Sequence, residues 1–413
     1  MLSTTADSPR PDTAGTARRA LPVLMIVIFL AGTALRLFAP PDFKPMGHDE
    51  TLYTSYVDFF AKESIFNYPE VVQNYAATSH KRAELPPTRF LYIFLACCWR
   101  SLTGQASMDS LHAISCLFSI LTMPLAAYFA YRLGGAWMGT GVLALVACSP
   151  MQIYFSRHAL IDGFFAFWGL LSVCLLWENL RRPARPVWLA AYGAGIALMV
   201  LTKENAFFVF VAILGILAVN RWMKFGTVTR PLLLCTFGGA FAGAAGVALI
   251  SGGFDHAIQA CLRFVHEVSH LDYAMQTGDG PWYRYLCELL LLSPFVLLLA
   301  IGAVFGLARA PANRWFLFCF VAFSYAIMCN VRYGMNLRYT IIWDMPLRYL
   351  ALWQLAAFCS RFGSRKNAML AGLVTLLCIF DLCQYHLFFV VHEIYEPIPH
   401  AIFRAEKFFI PSP

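Results

Sequence analysis

Long apolar blocks separated by short polar connectors run through nearly the whole chain. Most of these blocks are roughly as long as the helix of about 20 residues that crosses a bilayer, or slightly shorter. Because backbone groups inside lipid must be hydrogen-bonded within the membrane structure itself, such blocks predict helices. The pattern therefore predicts an all-α, polytopic membrane helix bundle that forms one domain over residues 1–413, without an appended soluble domain.

The charges of the connectors predict the orientation of the bundle. Arg18 and Arg19 directly precede the apolar run 21–38, which predicts an uncleaved first span behind a cytosolic tail, residues 1–19. From residue 158 onward, connectors with only basic residues alternate with connectors that contain acids. Lysine and arginine accumulate on the cytosolic side, so the acid-containing connectors are predicted to lie outside. The outer segments would include a first loop (39–87), a second long loop (252–283) and a C-terminal tail (392–413).

The number of spans depends on the stretch between the first outer loop and Asp162, which must contain an even number of crossings because both ends are predicted outside. Three apolar blocks lie there, at about 88–103, 111–132 and 136–150. One of them is therefore predicted to be re-entrant, interfacial or split, which gives about eleven spans, or about thirteen if a further span is hidden. The block at 88–103 is the first candidate, because it is short and is bounded by Pro86, Pro87 and Arg100.

The two long outer loops are the places where helices outside the bilayer are predicted. Residues 50–62 and 68–75 of the first loop combine polar residues with aromatic anchors, and residues 256–273 of the second loop have a similar mixed face. Such segments are typical of helices that lie along a membrane interface. Two of them above a bundle would roof a cavity that is open to lipid.

Composition supports a membrane protein. Hydrophobic residues make up 59% of the chain and charged residues 13%, and the mean hydropathy is +0.62, which is far from a soluble domain. The net charge of +8 does not predict a nucleic-acid partner, because the basic residues lie in short connectors instead of along one face or in one long run. The 13 cysteines lie almost wholly within apolar blocks, which is typical of core packing and not of a disulfide framework.

An acidic pair in the first outer loop is the first candidate for chemistry. Asp49 and Glu50 follow the first span and the segment PPDFKPMGH. A carboxylate in a site of low dielectric near lipid headgroups could take a proton from an acceptor hydroxyl or amine. The alternative is that both acids are simply solvated in an aqueous loop. His48 beside them is a weaker candidate for a ligand.

Asp162 and Lys203 are candidates at the outer ends of later spans. Asp162 lies about one turn inside an apolar helix, where an acid is costly, so it is expected to face a partner or a cavity. A buried hydrogen bond with Ser156 or Arg157 that pins the end of the helix is the structural alternative. Lys203, in the tight turn LTKEN, could reach a phosphate as a point charge, or it could extend to lipid headgroups.

Further candidates are individually weaker. Glu84 lies just before a double proline and could bind a metal ion or a phosphate-bound cation, or form only a surface ion pair. Arg338 or Arg348 could hold a phosphate headgroup with two hydrogen bonds, although arginines at span ends are ordinary interface anchors. His266 and His270 are four residues apart and could share a metal, but no HExxH motif completes such a site.

The order of these features resembles the GT-C superfamily of polyprenyl-phosphate-sugar glycosyltransferases. Within that superfamily, the pattern is most similar to the bacterial aminoarabinose transferase and protein O-mannosyltransferase group. The resemblance covers nearly the entire chain. Its most specific pieces are GHDETLY, ELPP, SRHALID and PWYRYL.

The resemblance implies roles for the residues at matching positions. Asp49 matches the general base of the family, with Glu50 beside it, and Asp162 matches a second acid, so these three form the implied catalytic group. The implied cations around the donor phosphate are Lys203, Arg338 and Arg157.

A divalent metal is also implied, because Glu84 matches an acid that binds one in some members. The chain departs from the family pattern at two places nearby. Leu85 stands where the aminoarabinose enzymes have a lysine, and Gly278–Gly280 stand where a histidine often precedes the aromatic motif. His266 or His270 would have to substitute as the histidine ligand.

The reaction that the resemblance implies is inverting transfer of a monosaccharide from a polyprenyl-phosphate donor to a lipid, glycan or protein acceptor. It would take place on the extracytoplasmic side of a membrane, with the bacterial plasma membrane as the expected location. No GxGxxG or P-loop motif is evident, so no nucleotide cofactor is expected. The alternatives are a secondary transporter, which is expected to show related halves, a lipid-linked phosphotransferase that uses the same cavity, and a non-catalytic scaffold.

Overall fold

A computed structural model describes residues 13–38, 48–78, 85–183, 185–332, 334–394, 399 and 401. Within these ranges the chain consists of helices joined by turns, and no strand is found there. This confirms the predicted all-α fold class.

The first half of the chain contains nine α-helices: α1 (Thr13–Leu37), α2 (His48–Lys62), α3 (Tyr68–Ala77), α4 (Phe90–Thr103), α5 (Ser107–Gly134), α6 (Ala136–Ala147), α7 (Pro150–Ser156), α8 (Ile161–Arg181) and α9 (Pro186–Thr202). The second half contains nine more among the described residues: α10 (Ala206–Met223), α11 (Arg230–Ile250), α12 (Phe254–Val268), α13 (Asp272–Thr277), α14 (Arg284–Leu292), α15 (Pro294–Phe305), α16 (Ala312–Met328), α17 (Asp344–Cys359) and α18 (Lys366–Tyr385). Short 3₁₀ segments cover Ile65–Asn67, Leu307–Arg309, Leu337–Trp343 and Ser360–Arg365, and a π-helical turn, His386–Val391, follows α18.

Several helices have the dimensions of membrane spans. By length and apolar composition, five helical stretches of the described residues could cross a membrane, and α6 and α7, which are bent by 56° at their junction, would make a sixth together. The other predicted spans correspond to apolar helices of 10–17 residues, which include α9, α15 and α16. Cys148 and Ser149 lie between α6 and α7, and Pro150 begins α7, because proline cannot donate the hydrogen bond that would continue α6.

Helix α4 begins and ends beside α2. Arg89, directly before α4, donates to the hydroxyl of Tyr53 at 2.7 Å, and Arg100 in its last turn donates to Asp58 at 2.8 Å. Ser107, the first residue of α5, also donates to Asp58, at 2.6 Å. Both ends of α4 therefore contact α2, and the end of the bundle that carries α2 is here named the α2 face. That the block at 88–103 is not an ordinary span stays a prediction.

The core of the bundle is held by close helix packing. Helices α9 and α11 approach so closely that a Cβ added to Gly239 would lie 2.5 Å from the carbonyl oxygen of Gly193. Glycine at this contact lets the two backbones touch, which is a common way to pack helices in membranes. Any larger side chain at Gly239 would force the pair apart.

A second apolar cluster attaches α2 and α3 to the bundle. It buries aromatic and aliphatic residues of α2, α3, α4, α5 and α8, among them Tyr53, Val57, Tyr68, Tyr92 and Phe164. The rings of Tyr53 and Tyr92 make an edge-to-face contact with centroids 5.3 Å apart, a favourable geometry for aromatic pairs. This cluster fixes the position of α2, whose first turn carries Asp49 and Glu50.

Candidate active site

A buried ion pair joins Lys203 to Asp162 at the α2 face. Lys203 lies in the turn between α9 and α10, and Asp162 lies in the first turn of α8. The lysine Nζ is 2.6 Å from Asp162 Oδ1, and the two side chains are only 1% and 3% exposed. The Nζ also lies 4.4 Å from the centre of the Tyr339 ring. Because an isolated buried charge is very unfavourable, each member of this pair depends on the other.

Arg338 connects this pair to Asp49. Its Nη1 donates to Asp49 Oδ2, and its Nε lies 3.8 Å from Asp162 Oδ2. Asp49, Asp162, Lys203 and Arg338 are far apart in sequence but form one contiguous group, here named the charged cluster. The structure thus brings together four of the residues that the sequence predicted for the site.

The surroundings set the ionisation of two members of the charged cluster. Burial alone would raise the pKa of Asp49, but the charge and hydrogen bond of Arg338 outweigh it and hold that pKa below its usual value. Burial lowers the pKa of Lys203 to about 8, against the opposing effect of the Asp162 carboxylate. Asp49 is therefore a carboxylate at neutral pH, and Lys203 is a cation that loses its charge in mildly alkaline solution.

A narrow recess, too tight to hold a water molecule, lies beside the charged cluster. Its polar lining residues are Asp162, Arg338, Asn205 and Tyr339. The rest of its lining is apolar and consists of Phe165, Phe208, Met328, Ile341 and Ile342. Charged and apolar groups therefore meet in the same recess.

Glu50 lies in a different environment from its neighbour Asp49. Its fully buried carboxylate accepts a hydrogen bond from the backbone N–H of Ala159 at 2.7 Å and contacts Nδ1 of His158 at 3.2 Å and Nε2 of His112 at 3.3 Å. Burial raises the pKa of Glu50, but hydrogen bonds from His112, His158 and Ala159 outweigh it, so the pKa lies below its usual value. Glu50 therefore ties α2 to α5 and to the loop that leads into α8.

Arg157 and Arg348, the other arginines considered as phosphate ligands, contact other parts of the bundle. Arg157 donates to the hydroxyl of Tyr385 at 2.8 Å and to the carbonyl oxygen of Phe38 at 2.5 Å, which places its guanidinium between the ends of α1 and α18. Arg348 is buried between two acids, with Nε 2.8 Å from Asp344 and Nη1 2.5 Å from Asp381.

The predicted metal ligands are not assembled in the described part of the chain. Glu84 lies outside the described residues. His266 and His270 are exposed at the end of α12, with ring centres 4.3 Å apart and His270 Nδ1 2.7 Å from the carbonyl oxygen of His266. Among the residues that the structure describes, no group of three or more His, Cys, Asp and Glu side chains is arranged to hold a metal ion.

Two residues next to the charged cluster were not predicted as site residues. Arg89 is buried and forms a two-pronged ion pair with Glu204, with its Nε 3.1 Å from Glu204 Oε2 and its Nη2 donating to Oε1. The only sequence signals were an arginine after the double proline and an acid after Lys203. Each of these is ordinary without knowledge of the other, because 115 residues separate them.

Comparisons with known proteins match both the sequence and the fold. The profile of the dolichyl-phosphate-mannose-protein mannosyltransferase family matches residues 95–259. No curated protein sequence gives a significant match.

Solved structures show the same arrangement of helices at low sequence identity. ArnT from Cupriavidus metallidurans in the apo state superposes with a TM-score of 0.59 at 14% identity, covering 94% of this chain and 74% of ArnT. ArnT bound to undecaprenyl phosphate gives 0.55 at 14% identity with the same coverage. The Archaeoglobus fulgidus oligosaccharyltransferase tethered to an acceptor peptide gives 0.58 at 12% identity, covering 89% of this chain and 55% of that enzyme.

These similarities show the fold of the protein. The helical architecture is shared with ArnT and with the archaeal oligosaccharyltransferase. The mannosyltransferase family profile matches residues 95–259, which is less than half of the chain.

Proposed function

We propose that the protein transfers a monosaccharide, with inversion, from a polyprenyl-phosphate donor to an acceptor on the extracytoplasmic side of the membrane. The observation that carries this proposal is the charged cluster, in which two carboxylates and two cations lie beside a recess with an apolar wall. Its chemistry suits a donor with an anionic head and an isoprenoid tail. The ArnT structure with undecaprenyl phosphate shows that this fold accommodates such a lipid.

The charged cluster is the proposed site for the donor phosphate. Its cations are Lys203, which is paired with Asp162, and Arg338, which lines the recess. Arginine is well suited to binding a phosphate with two hydrogen bonds. The apolar residues of the recess would contact the first isoprene units. Arg157 remains a predicted phosphate ligand.

Asp49 is the proposed general base. In the structure its carboxylate is bonded to Arg338, so it becomes a better base when the donor phosphate draws the guanidinium away. Asp49 would then accept the acceptor's hydroxyl or amine proton while the acceptor atom bonds to the anomeric carbon from the face opposite the phosphate. The bond between that carbon and the phosphate oxygen breaks, and both electrons leave with polyprenyl phosphate, which Lys203 and Arg338 stabilise.

The charges of the two faces support the proposed sidedness. The charged cluster lies at the α2 face, together with the acid-containing turn after α9 and the start of α12. The other end of α8 carries the basic connector with Arg181, Arg182 and Arg185, which is typical of a cytosolic face. The acceptor stays open among lipid, glycan and protein. A divalent metal bound by Glu84 with His266 or His270 stays a prediction.

The proposal is tested by sugar transfer from purified protein in lipid nanodiscs. Polyprenyl-phosphate sugars labelled separately in the sugar and in the phosphate are incubated with a membrane extract. A glycosyltransferase moves the sugar label without the phosphate label, whereas a phosphotransferase moves both. Inversion is checked by the anomeric proton coupling of the product, and sidedness by comparing sealed vesicles of the two orientations.

Asp49→Asn should reduce turnover by roughly 100- to 10,000-fold, because general-base catalysis is typically worth that much. Asp58→Asn is the matched control, since Asp58 lies on the same helix and is also paired with an arginine, at 2.8 Å. The control should transfer sugar at close to the wild-type rate. Undiminished turnover of Asp49→Asn would remove the base assignment.

A further inference from the structure

The ion pair between Arg89 and Glu204 borders the charged cluster. Glu204 directly follows Lys203, so its carboxylate shares a turn with the proposed phosphate-binding amine. Arg89 is 2% exposed and binds both oxygens of Glu204. A buried guanidinium with both its Nε and Nη2 used in this way is held in one orientation.

Arg89 also contacts α2 and α12. Its Nη1 donates to the hydroxyl of Tyr53 at 2.7 Å, and Tyr53 lies one helical turn after Asp49. Its guanidinium carbon lies 5.5 Å from the centre of the Phe264 ring on α12. Arg89 therefore links the helix that carries the proposed base to the turn that carries the proposed phosphate ligand.

We propose that Arg89 and Glu204 are positioning residues that fix Lys203 relative to Asp49 and set how much positive charge Lys203 carries. This inference rests on the proposed function, in which Lys203 binds the donor phosphate. Neither residue needs to touch the donor. They act through the turn, through Tyr53 and through their own charges.

The direction of each effect follows from the groups around Lys203. Asp162 on α8 and Glu204 in the turn favour its charged form, whereas Arg89 before α4 and Arg338 disfavour it. Asp49 on α2 is a further negative charge near the same amine. With the lysine pKa at about 8, small changes in this balance decide whether Lys203 is charged at mildly alkaline pH.

The two members of the pair should therefore have opposite effects on the pH profile. Donor binding requires charged Lys203, so kcat/KM should fall as pH rises through the lysine pKa. The part of the pH profile in which kcat/KM falls is here named the alkaline limb. Glu204→Gln removes a negative charge and should shift the alkaline limb to lower pH by roughly one pH unit. Arg89→Met removes a positive charge and should shift it to higher pH by a similar amount. The double variant should return the limb close to its wild-type position.

Two controls separate positioning from loss of structure. Arg100→Met breaks the matched ion pair that joins the other end of α4 to α2, so it should leave the alkaline limb unchanged even where it lowers the melting temperature. Arg89→Lys keeps the charge but loses the two-pronged contact with Glu204. We expect kcat to fall several-fold while the alkaline limb stays at its wild-type pH.

The inference is overturned if Arg89→Met and Glu204→Gln leave the limb at its wild-type pH, or move it in the same direction. A wild-type protein that transfers no sugar at any pH would contradict the proposed function instead. In that case the titration of Lys203 is read from the pH dependence of the melting temperature. Wild type, Arg89→Met and Glu204→Gln are each compared with the same protein that also carries Lys203→Met, and the difference reports the lysine. Its titration should move up in pH in Arg89→Met and down in Glu204→Gln, and the absence of these shifts would overturn the inference independently of any activity.

Discussion

Asp49 and Glu50 are adjacent in the chain but lie in different environments. Successive residues of a helix point about 100° apart, so Asp49 faces Arg338 while Glu50 faces His112 and His158. Asp49 is 22% exposed and can meet a substrate, whereas Glu50 is fully buried. These positions favour a supporting role for Glu50 within the predicted catalytic group.

Glu50→Gln tests this role. The amide keeps one acceptor for the Ala159 N–H but loses the charge that suits the two histidines, so we expect a loss of roughly 1–3 kcal/mol in the free energy of unfolding. Transfer activity should fall less than in Asp49→Asn. A variant with wild-type stability but no activity would instead place Glu50 in the chemical step.

The stability that Glu50 provides should depend on pH in a defined direction. Its folded pKa is held below the usual 4.5, so the unfolded state binds the proton more readily. The contribution is present above about pH 4.5 and is lost as pH falls through the folded pKa. The difference in melting temperature between wild type and Glu50→Gln should therefore be largest near neutral pH and shrink in acid. A difference that grows in acid would contradict this sign.

Some site residues could be predicted from the sequence and others could not. Asp49, Asp162, Lys203 and Arg338 stand at the ends of apolar blocks within recognisable motifs, so their position was informative. Arg89 and Glu204 have no such signal, because each resembles an ordinary charged residue in a connector until the fold brings them together. The local pattern of polar and apolar residues does not indicate which distant residues pair in the fold.

At the scale of helices, the pattern of charges predicted more than the pattern of hydrophobicity. Hydrophobicity alone would make α4 a span, whereas the requirement for an even number of crossings makes it the first candidate for an exception, which stays a prediction. The 56° bend between α6 and α7 lies in another of the three blocks among which the sequence left a re-entrant, interfacial or split segment open. The bend matters, because the short helix after it leads directly to His158, Ala159 and Asp162.

Helix α12 carries an apolar stripe that faces away from the bundle. Phe254, Ile258, Leu262 and Val265 recur on one face and are each more than half exposed, while Ala257 and Ala260 are buried on another face. This is the pattern of a helix that lies in a membrane interface, as predicted for the second outer loop.

The stripe predicts where α12 meets lipid. A photoreactive amino acid at Leu262 or Ile258 should crosslink to lipid in nanodiscs, because these side chains would reach the acyl region. The same group at Gln259, which is exposed on the polar face, is the matched control and should give few lipid adducts. The readout is the mass of the adducts after digestion. Equal labelling at the three positions would show that α12 does not lie in the interface.

At the scale of the whole molecule, a buried polar network connects the late helices to the break in the early part of the chain. Arg348 lies between Asp344 on α17 and Asp381 on α18, and Ser149 at the α6–α7 break donates to Asp344 at 2.9 Å. Charges inside a membrane bundle commonly mark functional pathways. Here the arginine is enclosed by two carboxylates, which favours a structural role over the phosphate-binding role considered from the sequence.

Substitutions at Arg348 distinguish these two roles. Arg348→Met leaves two buried carboxylates without their partner, and breaking such a pair typically costs about 3–5 kcal/mol, so a large drop in the unfolding free energy is expected in thermal or denaturant melts in detergent. The triple variant Arg348→Met, Asp344→Asn, Asp381→Asn should recover much of that loss, because no uncompensated charge remains. At temperatures where the variants are folded, they should bind polyprenyl phosphate like the wild type. The substituted side chains contact one another and neighbouring helices, and none of them lines the recess. Wild-type stability combined with lost polyprenyl-phosphate binding would move Arg348 into the donor site and make the network part of the reaction.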